Sequence, residues 1–372
     1  MIGPAAAIWS ARRRILALDG GGTRGIVAIA FLERIEALLR AKSGKGAAFR
    51  LSDHFHLIGG TSTGAIIAAA LALGRSVEEI KALYFELGPT VFRRRWHIPF
   101  FHARYGADLG RLLQREFGTL TLGDPALKTL LAIVTKRVDT GSPWIISNLP
   151  DQPYWKDRDE GTHISRGNHA IGLASLVRAS AAAPFFFGPE RIEISAGTTG
   201  IFVDGAVSPY NSPTIPLLLL ATAGAYGLNW PLGPKRLSIV SVGTGRNRPP
   251  PPSPWTPSAL LAVSGLRGMI EDAMSLSLTM MQWLGTSEAP SFLNRDIGTL
   301  EGELLAGKPL FSFQRFDLRL EEEWLETWFG LPFETREIIR LRRLDDASAM
   351  PALYDLASMV AQRMISLTSQ EN

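Results

Sequence analysis

The chain has no cysteine among its 372 residues. Disulfides, cysteine-held zinc and thiol nucleophiles are therefore excluded. Histidine is scarce: His54, His56, His97, His102, His163 and His169 are the whole set, and none follows residue 169. No run of about 18 apolar residues occurs, so no stretch reads as a bilayer-spanning helix. Residues 215–228 come nearest and fit a core helix better. An excess of one charge is also missing, with 39 basic against 35 acidic residues and a net charge of +4. That balance gives no footprint for a nucleic acid polymer, though it suits an anionic membrane surface. The opening MIGPAAAIWSARRR places its basic run after a short apolar stretch, the reverse of a secretory leader, so a cytoplasmic protein is expected. What the chain does have is apolar bulk: 46% hydrophobic residues, enough for a sizeable core in one large domain or two ordinary ones.

Residues 56–74, HLIGGTSTGAIIAAALALG, organise the rest. An apolar strand end runs into Gly60-Thr61-Ser62-Thr63-Gly64, and a run of Ala, Ile and Leu follows. This reads as strand, sharp turn and buried helix, with Ser62 raised at the turn and the helix N-terminus beneath it. Free N–H groups and a partial positive charge at that end suit an oxygen about to become an anion. The first unit of the chain has the same form. Residues 14–19 (RILALD) read as a buried strand, Gly20-Gly21-Gly22-Thr23-Arg24-Gly25 as a turn, and the following residues as a helix stopping at Gly44. The turn matches Gly-x-Gly-x-x-Gly literally. A dinucleotide site, however, wants an acid about 20 residues on, and residues 40–50 contain none. No Gly-Lys-Ser/Thr closes a phosphate loop either. The better reading is an oxyanion hole, with consecutive glycine N–H groups converging on one point.

Further strands are expected at 127–138, 144–147, 201–203 and 237–242, and helices at 76–87, 169–183 and 213–226. Ser76 with Glu79 forms a capping-box pattern at the first of these helices. Alternating strands and helices imply a mostly parallel sheet covered on both faces. Residues 246–254 (RNRPPPPSP) read as a stiff linker. Beyond it the chain turns mostly helical, with an amphipathic, methionine-rich stretch at 258–284, a strand-like stretch at 311–318 and charged helix at 336–367. The expected organisation is a catalytic domain at 12–245, a linker at 246–254 and a helical extension at 255–372. The 258–284 stretch has the character of a helix that touches a membrane through its apolar face; its methionines serve equally well as core packing or as the wall of an acyl tunnel. Arg93-Arg94-Arg95-Trp96 is an exposed basic run or a contact for lipid phosphate. His54 and His56 share a strand face, half of a metal site, but read more simply as strand entry.

A triad of Ser, acid, then His along the chain needs a late histidine, and none exists. His163 and His169 sit at a polar loop and a helix start, and suit surface or capping roles. Asp204 is the better base for Ser62. It ends the apolar strand IFVDG and is released by Gly205-Ala206 into the edge crevice. An Asp titrates near 3.9 in water and gains basicity only where burial raises that value.

With these residues the sequence resembles the patatin-like phospholipases. Three motifs stand in that family's order: Gly20-Gly21-Gly22-Thr23-Arg24-Gly25, Gly60-Thr61-Ser62-Thr63-Gly64 and Asp204-Gly205-Ala206. RASAAAPFFF at 178–187 and DGAVSPYNSP at 204–213 support it, and the likeness covers roughly residues 14–245. It implies a three-layer α/β/α fold with a mostly parallel sheet, extended here by the helical C-terminal part. It implies a Ser62–Asp204 dyad without histidine, an oxyanion hole from Gly20, Gly21, Gly22 and Thr63, and acyl-ester hydrolysis of glycerophospholipids without metal or cofactor. Arg24 would brace the glycine loop. A non-catalytic lipid- or nucleotide-binding module on the same fold is the alternative. Some bacterial members of the family are switched on by cyclic nucleotides, so an activator of that kind is admitted as a partner.

Overall fold

The computed structural model describes residues 12–91, 107–159, 164–184, 186–247, 258–330 and 332–368. The basic run at 93–96, His97, His102, His163, Phe185 and residues 248–254 of the linker lie outside the described residues.

The strands are β1 (Arg13–Leu18), β2 (Leu57–Thr61), β3 (Leu130–Arg137), β4 (Ser142–Ser147), β5 (Arg158–Asp159), β6 (Ile164–Ser165), β7 (Glu190–Ser195), β8 (Thr198–Asp204), β9 (Leu237–Val242) and β10 (Ser312–Phe316). They form one ten-stranded sheet in the order β10-β9-β1-β2-β3-β8-β7-β6-β5, with β4 also on β3. From β10 to β3 every pairing is parallel. From β3 outward every pairing is antiparallel. The helices are α1 (Gly25–Ser43), α2 (Thr63–Ala72), α3 (Val77–Val91), α4 (Ala107–Phe117), α5 (Leu173–Ser180), α6 (Thr214–Thr222), α7 (Ser258–Leu284), α8 (Glu322–Phe329), α9 (Thr335–Leu341) and α10 (Met350–Thr368).

Alternation along β1 divides the core. Leu16 and Leu18 face a layer built from α1, α2, α3, α5 and α10, while Ile15 and Ala17 face Leu217 and Leu220 of α6 and Leu278 and Met281 of α7. A sheet buried on both faces reads as continuous apolar runs, which is why RILAL and LIGGT lack polar alternation. The result is the expected three-layer α/β/α arrangement. The capping box at α3 is formed as well: the Ser76 N–H donates to Glu79 at 2.7 Å and the Glu79 N–H to Ser76 Oγ at 3.2 Å.

Three expectations need correcting. The sheet does not divide at residue 254, because β10 pairs with β9 from Ser238 to Val242 and so closes the parallel edge. The extension therefore completes the fold rather than standing beside it. The helix expected at 169–183 shortens to α5, since the Ala182 carbonyl leaves helical bonding to accept the Asp204 N–H at 3.0 Å. The helix expected at 336–367 breaks into α9 and α10. Between them the Leu344 carbonyl accepts the Thr23 N–H at 2.9 Å, a tertiary bond that a continuous helix would forgo. The hairpin partner of β8, β7, was not among the expected strands.

β10 also brings in a buried charge. Arg315 bonds Asp19 at 2.6 Å, Asp317 at 2.7 Å and Ser241 Oγ at 2.7 Å, and all three charged groups are nearly solvent-free. Two carboxylates hold the guanidinium above its ordinary range, while burial pushes Asp19 up. Arg315→Ala leaves Asp19 and Asp317 buried beside each other without a cation. Loss of one partner of a buried pair costs about 3–5 kcal/mol, so urea unfolding is expected to show a fall of that size.

Candidate active site

Ser62 sits between β2 and α2 at φ 56°, ψ −123°, one of few non-glycine residues with positive φ among those described. Such a conformation is strained in an L-residue and persists only where the surroundings enforce it. The flanking glycines explain how. A side chain at Gly60 would collide with the backbone of Gly64 and Ala65, and one at Gly64 with the carbonyls of Leu18 and Asp19 at the end of β1. The turn is therefore tight enough to press the helix start against two strands, and only glycine fits at either flank.

Ser62 Oγ donates to Asp204 Oδ2 at 2.6 Å. Ser62 is 7% exposed and Asp204 2%. The other carboxylate oxygen accepts the Ala206 N–H at 2.8 Å. Burial pushes the Asp204 carboxyl up to about 7, only partly opposed by these two hydrogen bonds. Asp204 reaches this point from an unexpected direction. β8 runs antiparallel to β3, with Asp204 opposite Thr135, one residue past the Val134 that pairs with Thr61. The strand thus descends onto the carboxyl edge of the parallel strands and stops level with Ser62.

The segment 178–183 holds both residues. Ser180 Oγ accepts the Ser62 N–H at 2.8 Å and donates to the Val134 carbonyl at 2.6 Å, while Ala182 holds the Asp204 backbone as described. Ser180 carried no signal in the sequence beyond being one polar residue in a run of alanines. Residues after Asp204 stitch the two turns together. Tyr210 accepts from Thr61 Oγ1 at 2.7 Å, and the Asn211 carbonyl accepts the Gly20 N–H at 3.2 Å.

That last bond alters the expected donor set. The N–H groups of Gly20 and Gly21 are both used within the fold, so these two residues shape the loop and neither is left to serve as the expected oxyanion donor. The Gly21 N–H donates to Thr63 Oγ1 at 3.1 Å. The N–H groups of Gly22 and Thr63 have no acceptor among the described residues. Gly22 lies at φ +59°, where a side chain would also strike the Leu344 carbonyl. Arg24 is buried and donates to Asn247 Oδ1 at 2.9 Å, tying the glycine loop to the chain after β9. Gly205 is needed because a side chain there would collide with the Val134 carbonyl. Thr23 bonds the connection between α9 and α10 twice, through its N–H to the Leu344 carbonyl and its hydroxyl to the Arg343 carbonyl at 3.4 Å.

The histidines described take other roles. His169 Nδ1 lies 2.8 Å from the Trp155 carbonyl and its ring packs on Trp155. His56 Nδ1 accepts the Arg14 N–H at 3.1 Å, and burial and nearby arginines hold it below its ordinary value. No group of three or more His, Asp or Glu among the described residues is placed to hold a metal ion.

The chain has relatives among known proteins. The sequence model of the patatin-like phospholipase family, "Patatin", matches residues 16–218, more than half of the chain. The chain belongs to the patatin-like phospholipase family. Potato (Solanum tuberosum) patatin is 32% identical over 252 residues, 63% of this chain and 60% of patatin. The chain thus spans about three-fifths of the length of the potato relatives it matches. An Escherichia coli cUMP-AMP-activated phospholipase is 33% identical over 239 residues, 64% of this chain and 67% of that one. Among solved structures, human GIVD cytosolic phospholipase A2 aligns with 96% of this chain and 60% of its own, at 12% identity and a TM-score of 0.45. The patatin-like match ends within α6, so β9, β10 and the helices after them lie outside it.

Proposed function

We propose that this protein is a serine carboxylic-ester hydrolase that cleaves acyl esters of glycerophospholipids through Ser62 and Asp204. The observation that carries the reading is the 2.6 Å bond from a strained, nearly buried serine to a carboxyl raised to about 7. A carboxyl near its ordinary value would be a poor acceptor for an alcohol proton at neutral pH. One raised this far has the proton affinity of a histidine, and so replaces it.

Ser62 Oγ attacks the acyl carbonyl while its proton passes to Asp204 Oδ2. The N–H groups of Gly22 and Thr63 meet the developing oxyanion, in a site where little water competes. Asp204 then returns the proton to the departing alkoxide, leaving an acyl-serine. Water enters and attacks the acyl carbon, Asp204 takes its proton and returns it to Ser62 Oγ as the acyl–serine bond breaks, and the fatty acid leaves. No step calls for a metal or cofactor. A non-catalytic binding module would have no use for a strained serine held against a raised carboxyl.

Both close relatives bear phospholipase or patatin names, and this supports a lipid substrate. The described helices include none long and apolar enough to cross a membrane. A peripheral approach from the cytoplasm fits the reading, with α7 as the lipid-facing element. Leu261, Met269 and Leu276 on α7 are exposed, while Leu278 and Met281 anchor its far end in the core. The test is incubation with vesicles of mixed phosphatidylethanolamine and phosphatidylglycerol, followed by mass spectrometry. Free fatty acid and the matching lysophospholipid are expected in equal amounts. A second arm adds a cyclic dinucleotide, because activation by one is in the name of the E. coli relative. Intact lipid in both arms would overturn the reading.

A further inference from the structure

Two hydroxyls that the dyad itself does not use, those of Thr63 and Tyr84, bond the glycine loop. The Gly21 N–H donates to Thr63 Oγ1 at 3.1 Å. The Thr63 hydroxyl lies beside the phenol oxygen of Tyr84, from α3, and a side chain at Gly25 would meet both. The Tyr84 hydroxyl donates to the Gly22 carbonyl. The two hydroxyls therefore hold the glycine loop on either side of the Gly22 N–H. Its remaining groups are also fixed. The Gly20 carbonyl accepts from Thr244 Oγ1 at 2.9 Å, the Gly21 carbonyl from the Arg24 N–H at 3.1 Å, and the Thr23 N–H is held by Leu344 at 2.9 Å. Every peptide flanking the Gly22 N–H is thus pinned, and that N–H has no acceptor among the described residues.

We propose that Tyr84 is a positioning residue for the oxyanion hole, aiming the Gly22 N–H through its bond to the Gly22 carbonyl and through the Thr63 hydroxyl. This rests on the esterase reading above. Three observations support it beyond the bonds themselves. Tyr84 is buried, so little solvent competes for its hydroxyl. Burial pushes the phenol above its ordinary value, so it remains a proton donor throughout the working range. A side chain at Gly25 would collide with the Tyr84 hydroxyl oxygen, which gives the last glycine of the first motif a reason other than turn geometry. A phenol whose task was only to fill the core would need no such opening.

An oxyanion donor acts only when aimed at the position the anion will take, and a misplacement of about 1 Å costs up to about a hundredfold in rate. Tyr84→Phe keeps the ring and removes one hydroxyl. It is expected to lower kcat for a soluble p-nitrophenyl ester by about tenfold or more, within that range, and to leave KM within about twofold. Thr63→Val, which removes the other hydroxyl, is expected to act the same way. The double variant should be little worse than either single one, because each frees the same loop. A structural defect is separated by comparing each ester with its thionoester, in which sulfur replaces the carbonyl oxygen. Sulfur accepts N–H bonds poorly, so a well-aimed hole prefers the oxygen ester strongly, and Tyr84→Phe should shrink that preference in proportion to its loss of kcat. Melting temperature is followed alongside.

A kcat within about twofold of wild type in Tyr84→Phe would overturn the proposal, since a misaimed donor loses far more. So would a fall in kcat at an unchanged oxygen-to-sulfur preference. If the wild-type protein neither turns over the ester nor reacts with an alkyl fluorophosphonate, the esterase reading fails first and this proposal with it.

Discussion

Ser62→Ala is expected to abolish labelling by a serine-directed fluorophosphonate and to lower ester turnover by roughly a millionfold, the scale on which nucleophile loss acts in serine hydrolases. The reagent's phosphorus is attacked by the same oxygen that attacks the acyl carbon, so both losses come from one atom. The fold should survive, because the backbone of residue 62 is held by its own N–H to Ser180 and not by its hydroxyl. Ser62→Gly makes a sharper test. It is equally inactive, but glycine adopts φ 56° without strain, and relief of about 1–3 kcal/mol should raise its melting temperature above that of Ser62→Ala. Equal labelling of wild type and Ser62→Ala would overturn the assignment of the nucleophile. A melting temperature for Ser62→Gly below that of Ser62→Ala would show that the turn is not strained.

Asp204→Asn has opposite effects on activity and stability. As general base, Asp204 must be ionised, so wild-type turnover should rise with pH through about 7, and Asp204→Asn should lower it by roughly 10²–10⁴ and remove that rise. The amide can be accommodated: its oxygen takes the Ala206 N–H and its NH₂ donates to Ser62 Oγ, whose hydroxyl then serves as acceptor. Stability follows from proton binding. The folded pKa, about 7, lies above the unfolded value of 3.8, so between them the folded state binds the extra proton. Wild-type stability therefore falls as pH rises through that window, and no further above it. Asn carries no such charge. The melting temperature of Asp204→Asn minus that of wild type should increase from pH 5 to pH 8. A difference that is flat or shrinking would mean that Asp204 is ionised at little cost in the fold, and the raised carboxyl would have to be given up. Retention of turnover within tenfold would remove Asp204 as the base.

The opposing effects have one origin. A carboxyl buried beside a serine is a better base because its charged form is poorly solvated, and for the same reason it destabilises the fold once charged. Arg315 illustrates the other solution, in which Asp19 at the end of β1 is buried with a cation and stays clear of the chemistry. The two aspartates differ in that Asp19 has a cationic partner, whereas Asp204 is held by a hydroxyl and a backbone N–H.

The sequence alone determined the elements whose causes are local. Gly60 and Gly64 around Ser62 mark a turn that no larger residues could make, and the strand before and helix after it follow from apolar runs. The absence of histidine after residue 169 removed the usual base and left Asp204, whose strand end and glycine are again local features. The order of the three motifs then pointed to the family. What only the tertiary structure decided depends on residues far apart in the chain. That β8 is antiparallel, and so brings Asp204 down onto Ser62, rests on its pairing with β3 and on the hairpin with β7. The breaks after α5 and between α9 and α10 come from carbonyls of Ala182 and Leu344 taken by Asp204 and Thr23, bonds with no trace in local propensity. Gly20 lost its expected donor role to Asn211, 191 residues away, and Tyr84 reached the glycine loop only because α3 packs behind it. β10 joined the sheet for the same kind of reason. A parallel strand is recruited by the edge it completes and by the carboxylates that meet its charge, and β9, Asp19 and Asp317 all lie outside its own five residues.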